Sequence, residues 1–480
     1  MATAILLIFL VMQANAVRII NPNRRILQEP PLLLPKDRSQ HEVKEHWLEQ
    51  RLDHFDGNNN QTWQMRYFQN DKYYEAGAPL FIFIGGEWEI SKAYLLTGHF
   101  YDIALQHHAM LYYVEHRFYG KSIPENDTSL ENLKYLNIKQ ALADLNVFIT
   151  TQKQSRNSMT NSKVILAGGS YAGSIVAWFQ KIYPGLATAG WASSAPLFAK
   201  MDFYEYMIIA GESIKRKGGS TCYKRIKTGM EALAAQFKLN ASDEIIHKLM
   251  VCDNFDTMNP LDIEAFFNTV GYYFSEVVQS YSSYIKSMCK KLLSHQSNDT
   301  EALTTFLSDM FWLRDTNNKL TKPIKILSYT FINNSCNLVR QWYYQTCSEF
   351  GWYTTTATRY HHPFASQVSL GFFQQLCRDV YNNSFTSDTI SSSINQTNAY
   401  FGNTINWALA NNYETTFFTH GQLDPWRAVG VQNGSNVIVI PGYSHCADLG
   451  SINLNDSVEM NVTKLKVAHF LNRALRTPEN

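Results

Sequence analysis

The chain has 480 residues with 42 basic and 41 acidic side chains, a formal net charge of +1. It is 45% hydrophobic and only 17% charged, which excludes a disordered chain, since that needs low hydrophobicity and high net charge. The balanced charge also excludes nucleic acid as a partner, because no basic excess exists to neutralise phosphates.

The first element in chain order is a short apolar run, Ile5–Met12, ending in the small-x-small site Ala14-Asn15-Ala16. This predicts a cleaved signal peptide over residues 1–16. The run is too short for a membrane span, which needs about 20 residues. Ten Asn-x-Ser/Thr sequons, at Asn60, Asn126, Asn240, Asn298, Asn333, Asn382, Asn395, Asn433, Asn455 and Asn461, agree with a secretory route and predict N-glycans. The expected location is extracellular or the lumen of lysosomes or endosomes. Residues 17–40, with Arg24-Arg25 and Pro30-Pro31, read as a propeptide or an N-terminal arm.

From residue 41 the pattern becomes that of an α/β domain. The apolar runs Leu80–Ile84, Ala109–Val114 and Val164–Ala167 do not alternate, as expected of strands buried on both faces. Between them, Leu142, Leu145 and Ile149 share one face of a predicted helix. Alternating strand and helix predicts an α/β fold over residues 41–197. Residues 198–405 lose this rhythm, carry amphipathic stretches such as Asp243–Met250 and Tyr273–Leu293, and hold six of the seven cysteines. They are expected to be a helical cap inserted in the α/β domain. Strands return at Thr415–Thr419 and Val437–Ile440, so residues 406–480 form its second part, closed by a helix near Val462–Leu475.

Val164–Ala167, Gly168-Gly169-Ser170-Tyr171-Ala172-Gly173 and the helical pattern after them read as strand, tight turn and helix. This is the nucleophile-elbow arrangement, in which small residues let the backbone bend and push the serine hydroxyl out of the sheet; Ala172 replaces the usual final Gly of G-x-S-x-G. A serine needs a base and the base an orienting acid, in the chain order Ser, Asp, His for this fold. Asp424 and His445 each lie just after a predicted strand, so Ser170, Asp424 and His445 are the expected catalytic set. Asp448, His116 and His420 are weaker competitors, read as residues that shape their loops. The oxyanion donors are expected at the Tyr171 N–H, on the helix start, and in the loop Gly85–Glu89, at Glu87. The Glu87 carboxylate could also hold a peptide's terminal amine. No H-E-x-x-H, C-x-x-C, P-loop or G-x-G-x-x-G pattern is present, so neither a metal nor another cofactor is expected.

Several stretches in order carry a resemblance to a known family: Gln50–Phe55, Gly85–Glu87, Glu115–Ser122, Gln140–Asp144, Gly168–Tyr171, Gln341–Gly351, Leu423–Trp426 and Ser444–Cys446. The sequence resembles the serine peptidases that include lysosomal Pro-X carboxypeptidase, dipeptidyl peptidase II and thymus-specific serine protease, and is most similar to the thymus-specific branch. The resemblance implies an α/β-hydrolase fold with a disulfide-stapled helical cap, the triad Ser170, Asp424 and His445, and an exopeptidase that acts on peptides through an acyl-enzyme, often after proline. It implies cysteine pairs 222–289, 252–336 and 347–377, and leaves Cys446 as a buried free thiol. Trp88 stands where many relatives have Gly. Carboxypeptidase and dipeptidyl peptidase modes stay open, as does a homodimer. The alternatives are a carboxylester hydrolase using the same triad and a non-catalytic binding protein on this scaffold.

Overall fold

The apolar runs at residues 80–84 and 110–114 are strands in which every residue is buried. They sit in a computed structural model that describes residues 29–32, 40–125, 127–239, 241–249, 255–314, 320–323, 338–358, 360–402 and 414–476. The leader 1–16, most of the arm 17–40, the sequons at Asn126, Asn240 and Asn333, and Cys252 and Cys336 lie outside the described residues.

The chain divides into two units. The larger gathers Gln28–Phe203, Cys336–Tyr353 and Asn383–Asn480 around one sheet. Its eight strands are β1 (Lys44–Arg51), β2 (Thr62–Asn70), β3 (Leu80–Ile84), β4 (Met110–Val114), β5 (Val164–Gly169), β6 (Ala189–Ser193), β7 (Thr416–Gly421) and β8 (Val437–Ile440). They lie in the order β1-β2-β4-β3-β5-β6-β7-β8. Pairing is parallel from β4 to β8, while β2 runs antiparallel to β4 and β1 antiparallel to β2. This order and polarity are those of an α/β-hydrolase sheet. Ser193 of β6 pairs with Gly169 on one side and Thr419 on the other, so β6 links the strand that leads to Ser170 with the one that leads to Asp424.

Helices of this unit include α1 (His99–Gln106), α2 (Ile138–Ser155), α3 (Tyr171–Ile182), α4 (Ser387–Phe401) and α5 (Val458–Arg476). The Asn137 side chain caps α2 by accepting from the Gln140 N–H at 3.0 Å, and Leu142, Leu145, Phe148 and Ile149 fill its buried face. Strand β6 carries no apolar run, because α3 crosses it closely. A Cβ on Gly190 would stand 2.6 Å from Val176 Cγ1 of that helix.

The second unit holds Tyr204–Ser335 and Thr354–Asn382. It is helical, with Glu205–Gly218, Ser220–Lys238, Pro260–Ser280, Ile285–Ser294, Asp299–Phe311 and Leu370–Val380. Phe266, Phe267, Phe274, Phe306 and Phe364 are fully buried in it. The amphipathic stretch from Tyr273 to Leu293 spans parts of two helices, parted by a 3-10 turn at Ser282–Tyr284. Cys222 and Cys289 form a disulfide, and Cys347 and Cys377 are also disulfide-bonded.

The division differs from a continuous insertion over 198–405. Residues 338–353 and 383–402 belong with the sheet. The strand Gly351–Tyr353 pairs in parallel with Lys200–Asp202. On α4, the Asn398 amide accepts from the Ala199 N–H at 3.0 Å and donates to the Ala199 carbonyl at 2.7 Å. Amphipathic periodicity marks a buried face but not the unit that buries it. No helix among the described residues is long and apolar enough to cross a membrane.

Candidate active site

Ser170 joins β5 to α3 with φ 58° and ψ −135°, a conformation that L-residues rarely adopt and that surrounding structure must enforce. The enforcement is visible in the neighbouring glycines. A Cβ on Gly168 would stand 2.5 Å from the Ala172 carbonyl oxygen, and one on Gly173 would stand 3.0 Å from the Gly168 and Ser193 carbonyls. The Ser170 N–H donates to the Ser193 carbonyl at 2.9 Å, which fixes the turn to β6. Ala172 is fully buried, so a methyl group is tolerated where the usual motif has Gly. The Tyr171 N–H begins α3, where helical N–H groups have no intrahelical acceptor.

Asp424 follows β7 and is fully buried. Its Oδ1 accepts from the Trp426 N–H at 3.0 Å, capping a short 3-10 turn, and its Oδ2 accepts from His445 Nδ1 at 2.8 Å. With Nδ1 donating, Nε2 of His445 is the acceptor nitrogen; it is buried and has no hydrogen-bond partner among the described residues. Burial disfavours the imidazolium, but the Asp424 carboxylate, with a smaller contribution from Cys446, outweighs it and holds the His445 pKa well above the ordinary value. The converse holds for Asp424, whose burial is outweighed by His445 so that its carboxyl stays below the usual range.

The His445 loop is anchored to the elbow. Cys446, at φ 53°, donates its N–H to Ser194 Oγ at 2.9 Å, and Ser193 Oγ donates to Asp448 Oδ1 at 2.6 Å. A Cβ on Gly169, the residue before Ser170, would stand 3.0 Å from Cys446 Sγ, the residue after His445. Asp448 therefore holds the loop through Ser193. Cys446 is a buried free thiol.

The loop after β3 is built by charge. Glu115, at the end of β4, is fully buried and binds the Arg66 guanidinium, the Ile90 N–H at 3.1 Å, the Lys121 N–H at 3.0 Å and the Ser122 hydroxyl at 2.9 Å. Two residues on, Arg117 grips Asp144 of α2 through two hydrogen bonds of 2.6 and 2.7 Å. Between them, His116 donates from Nδ1 to the Arg117 carbonyl at 2.7 Å and accepts at Nε2 from the Tyr171 hydroxyl at 3.1 Å. Gln345 continues this chain, donating to the Tyr171 hydroxyl at 2.9 Å and accepting from Tyr119 at 2.6 Å. Burial pushes His116 down to about 4, so it is a neutral link. His420, also buried, is pushed down to about 4. Sequence reasoning missed Gln345 and Tyr119, because their partners are distant in the chain.

Glu87 is 8% exposed, and its Oε2 is buried without a hydrogen-bond partner among the described residues. Burial pushes its carboxyl up to about 7, opposed by its own backbone N–H and by the charge of His445. Among the described residues no group of three or more His, Cys, Asp or Glu could hold a metal ion.

An eight-stranded sheet of this order, with a serine on a strained strand-to-helix turn, defines a hydrolase of the α/β-hydrolase fold. The chain belongs to the serine carboxypeptidase S28 family, whose pattern matches residues 50–467. It is a serine-type peptidase. It is 29% identical over 455 residues to mouse (Mus musculus) thymus-specific serine protease, covering 89% of this chain and 87% of that one. It is 28% identical over 451 residues to a putative serine protease of Caenorhabditis elegans, covering 88% and 86%. It is 25% identical over 453 residues to human (Homo sapiens) lysosomal Pro-X carboxypeptidase, covering 89% and 87%. Among solved structures, a bacterial heroin esterase superposes over 92% of this chain and 87% of that one at 11% identity, with a TM-score of 0.35.

Proposed function

We propose that Ser170, His445 and Asp424 form the catalytic triad of an exopeptidase that works through an acyl-enzyme. The observation that carries this reading is the 2.8 Å contact between His445 Nδ1 and Asp424, which leaves a buried, unpartnered Nε2 on a loop packed against the elbow. In this reading Nε2 takes the Ser170 hydroxyl proton as Oγ attacks the peptide carbonyl. The proton then passes to the leaving amine, and water repeats the sequence to release the acyl group. Asp424 holds the imidazole tautomer and stabilises its cation. The Tyr171 N–H, on the helix start, supplies one oxyanion donor.

The family points to peptides cut near a terminus, and the name of the Pro-X carboxypeptidase relative adds a preference for proline at the cleaved bond. Trp88, buried in the loop after β3, is the residue of that loop most relevant to the preference. A secretory setting is part of the same reading. The asparagines of the sequons at Asn60, Asn298, Asn382, Asn395, Asn433 and Asn455 are exposed, and the Cys222–Cys289 disulfide suits an oxidising compartment. Those asparagines would carry N-glycans, and the lumen could be lysosomal, as the relative's name has it.

The test is product analysis on two peptide sets. N-blocked Xaa-Pro-Phe releases phenylalanine if the enzyme is a carboxypeptidase. Xaa-Pro-amide reporters with a free amine are cut if it is a dipeptidyl peptidase. Turnover of neither, with brisk p-nitrophenyl ester hydrolysis, would overturn the exopeptidase reading.

A further inference from the structure

Glu29–Leu32, the described part of the N-terminal arm, packs against the loop after β3 and against the end of β5. The Oε2 of Glu29 accepts from the Ser91 N–H at 3.1 Å and from the Tyr113 hydroxyl at 3.0 Å. Tyr113, on β4, is itself fully buried, and its oxygen accepts from Trp88 Nε1 at 2.9 Å. With that lone pair engaged by Trp88, the hydroxyl proton is aimed at Glu29. The next residue is held as well, since the Tyr94 hydroxyl donates to the Pro30 carbonyl at 2.7 Å. Pro30 Cγ lies 3.6 Å from the position of a Cβ on Gly169, and Leu32 Cδ1 lies 3.2 Å from the corresponding position on Gly98.

Two features make this more than a packed strand of chain. Burial pushes the Glu29 carboxyl up, against the hydrogen bonds of Ser91 and Tyr113, so an apolar side chain would sit there at less cost. The donors are also arranged in advance, through Trp88 and Tyr113, for a carboxylate. Gly169 is the residue before Ser170, and Glu29 is the residue before Pro30. The arm residue that follows Glu29 thus packs beside the residue that precedes the nucleophile. A peptide cut next to its C-terminal residue carries its free carboxylate one residue beyond the attacked carbonyl.

We propose that the Ser91 N–H and the Tyr113 hydroxyl, oriented by Trp88, are a subsite for a substrate carboxylate, and that Glu29 of the arm occupies it as an intramolecular stand-in. The proposal rests on the exopeptidase reading of Ser170 and names the group that its substrate presents. That group is the α-carboxylate of a peptide's C-terminus, although an acidic side chain would offer the same chemistry. The arm then limits access to the site until it is displaced. Trp88 thereby gains a role through its N–H.

The test uses the full chain, Glu29→Ala and Glu29→Ala with Tyr113→Phe. Each is assayed on three N-blocked peptides: a neutral peptide with a free C-terminal acid, its C-terminal amide, and an amide carrying Glu in the last position. Hydrogen bonds to a charged group are worth about 1.5–3 kcal/mol, or roughly 10- to 150-fold. Glu29→Ala should therefore raise the free-acid to amide ratio of kcat/KM about tenfold or more, and Tyr113→Phe should bring it back. A rise confined to the Glu-bearing amide would keep the subsite and assign it to acidic side chains. Trp88→Phe, which keeps the ring and loses the N–H, should give the same fall in ratio should the Tyr113 variant not fold. An unchanged ratio in Glu29→Ala, in protein whose Ser170 still reacts with a fluorophosphonate, overturns the subsite and leaves the peptidase reading standing. Absence of both labelling and cleavage in the unmutated chain overturns both.

Discussion

His445 Nδ1 stands 2.8 Å from Asp424 Oδ2 although 21 residues separate them in the chain, and the two groups set each other's charge. The carboxylate raises the histidine, so the neutral base exists only above that raised pKa. The rate constant kcat/KM should fall as pH drops through it, placing the acid limb above the ordinary histidine range of about 6.5. In Asp424→Asn the main raising charge is gone and burial is opposed only by the neighbouring Cys446. The limb should move to lower pH while the plateau drops by about 10⁴. A pH profile of both proteins on one peptide checks this. A limb that stays in place would remove Asp424 from the role.

The turn at Ser170 depends on the absence of a side chain at Gly168. Its added Cβ would meet backbone at 2.5 Å, which cannot rotate away. Gly168→Ala should cost about 1–3 kcal/mol or more and abolish activity. Gly57, with nothing within 4 Å of an added Cβ and no positive φ, is the control; Gly57→Ala should leave both melting temperature and turnover near the parent.

Arg117 and Asp144 are an ion pair with side chains 0% and 5% exposed. Asp144→Asn leaves the guanidinium buried and uncompensated, at about 3–5 kcal/mol by urea unfolding. Burial raises the Asp144 carboxyl, but Arg117 outweighs it and the folded pKa is lowered. Its contribution is therefore present above the unfolded value of about 3.9 and is lost as pH falls through the lower folded value. The stability gap between parent and variant should shrink only below about pH 4. A gap that narrows near neutrality would contradict this assignment.

The Cys222–Cys289 bridge closes a separation of 67 residues. Replacing both cysteines by serine should cost about 2–4 kcal/mol through the unfolded chain. Calorimetry of the parent and the double variant gives the shift.

Much of the sheet was legible because β3, β4 and β5 are buried on both faces and read as unbroken apolar runs. Strand β6 was not, because its Ala189, Gly190 and Trp191 answer to the close crossing of α3 rather than to propensity. Strands β1 and β2 were also unread. Charged Lys44, Glu45, Glu49 and Arg51 punctuate the first, and the buried Arg66 in the second is satisfied by Glu115, just past the end of β4. The positions of Ser170, Asp424 and His445 could be read because each follows a strand end. The links among His116, Tyr171 and Gln345 could not, since 55 and 174 residues separate the partners. Nor could the fold-back of Gly351–Tyr353 onto Lys200–Asp202, which depends on a pairing between distant segments. The docking of Glu29 depends on hydroxyl orientation, which sequence does not carry.

In the proposed mechanism Ser170 is the nucleophile and His445 its base. Reacting the protein with a fluorophosphonate and locating the adduct by peptide mass spectrometry tests it most directly. A single adduct is expected on Ser170, absent in Ser170→Ala and formed at least about 10³-fold more slowly in His445→Ala. An adduct on another residue, or undiminished labelling in either variant, would contradict it.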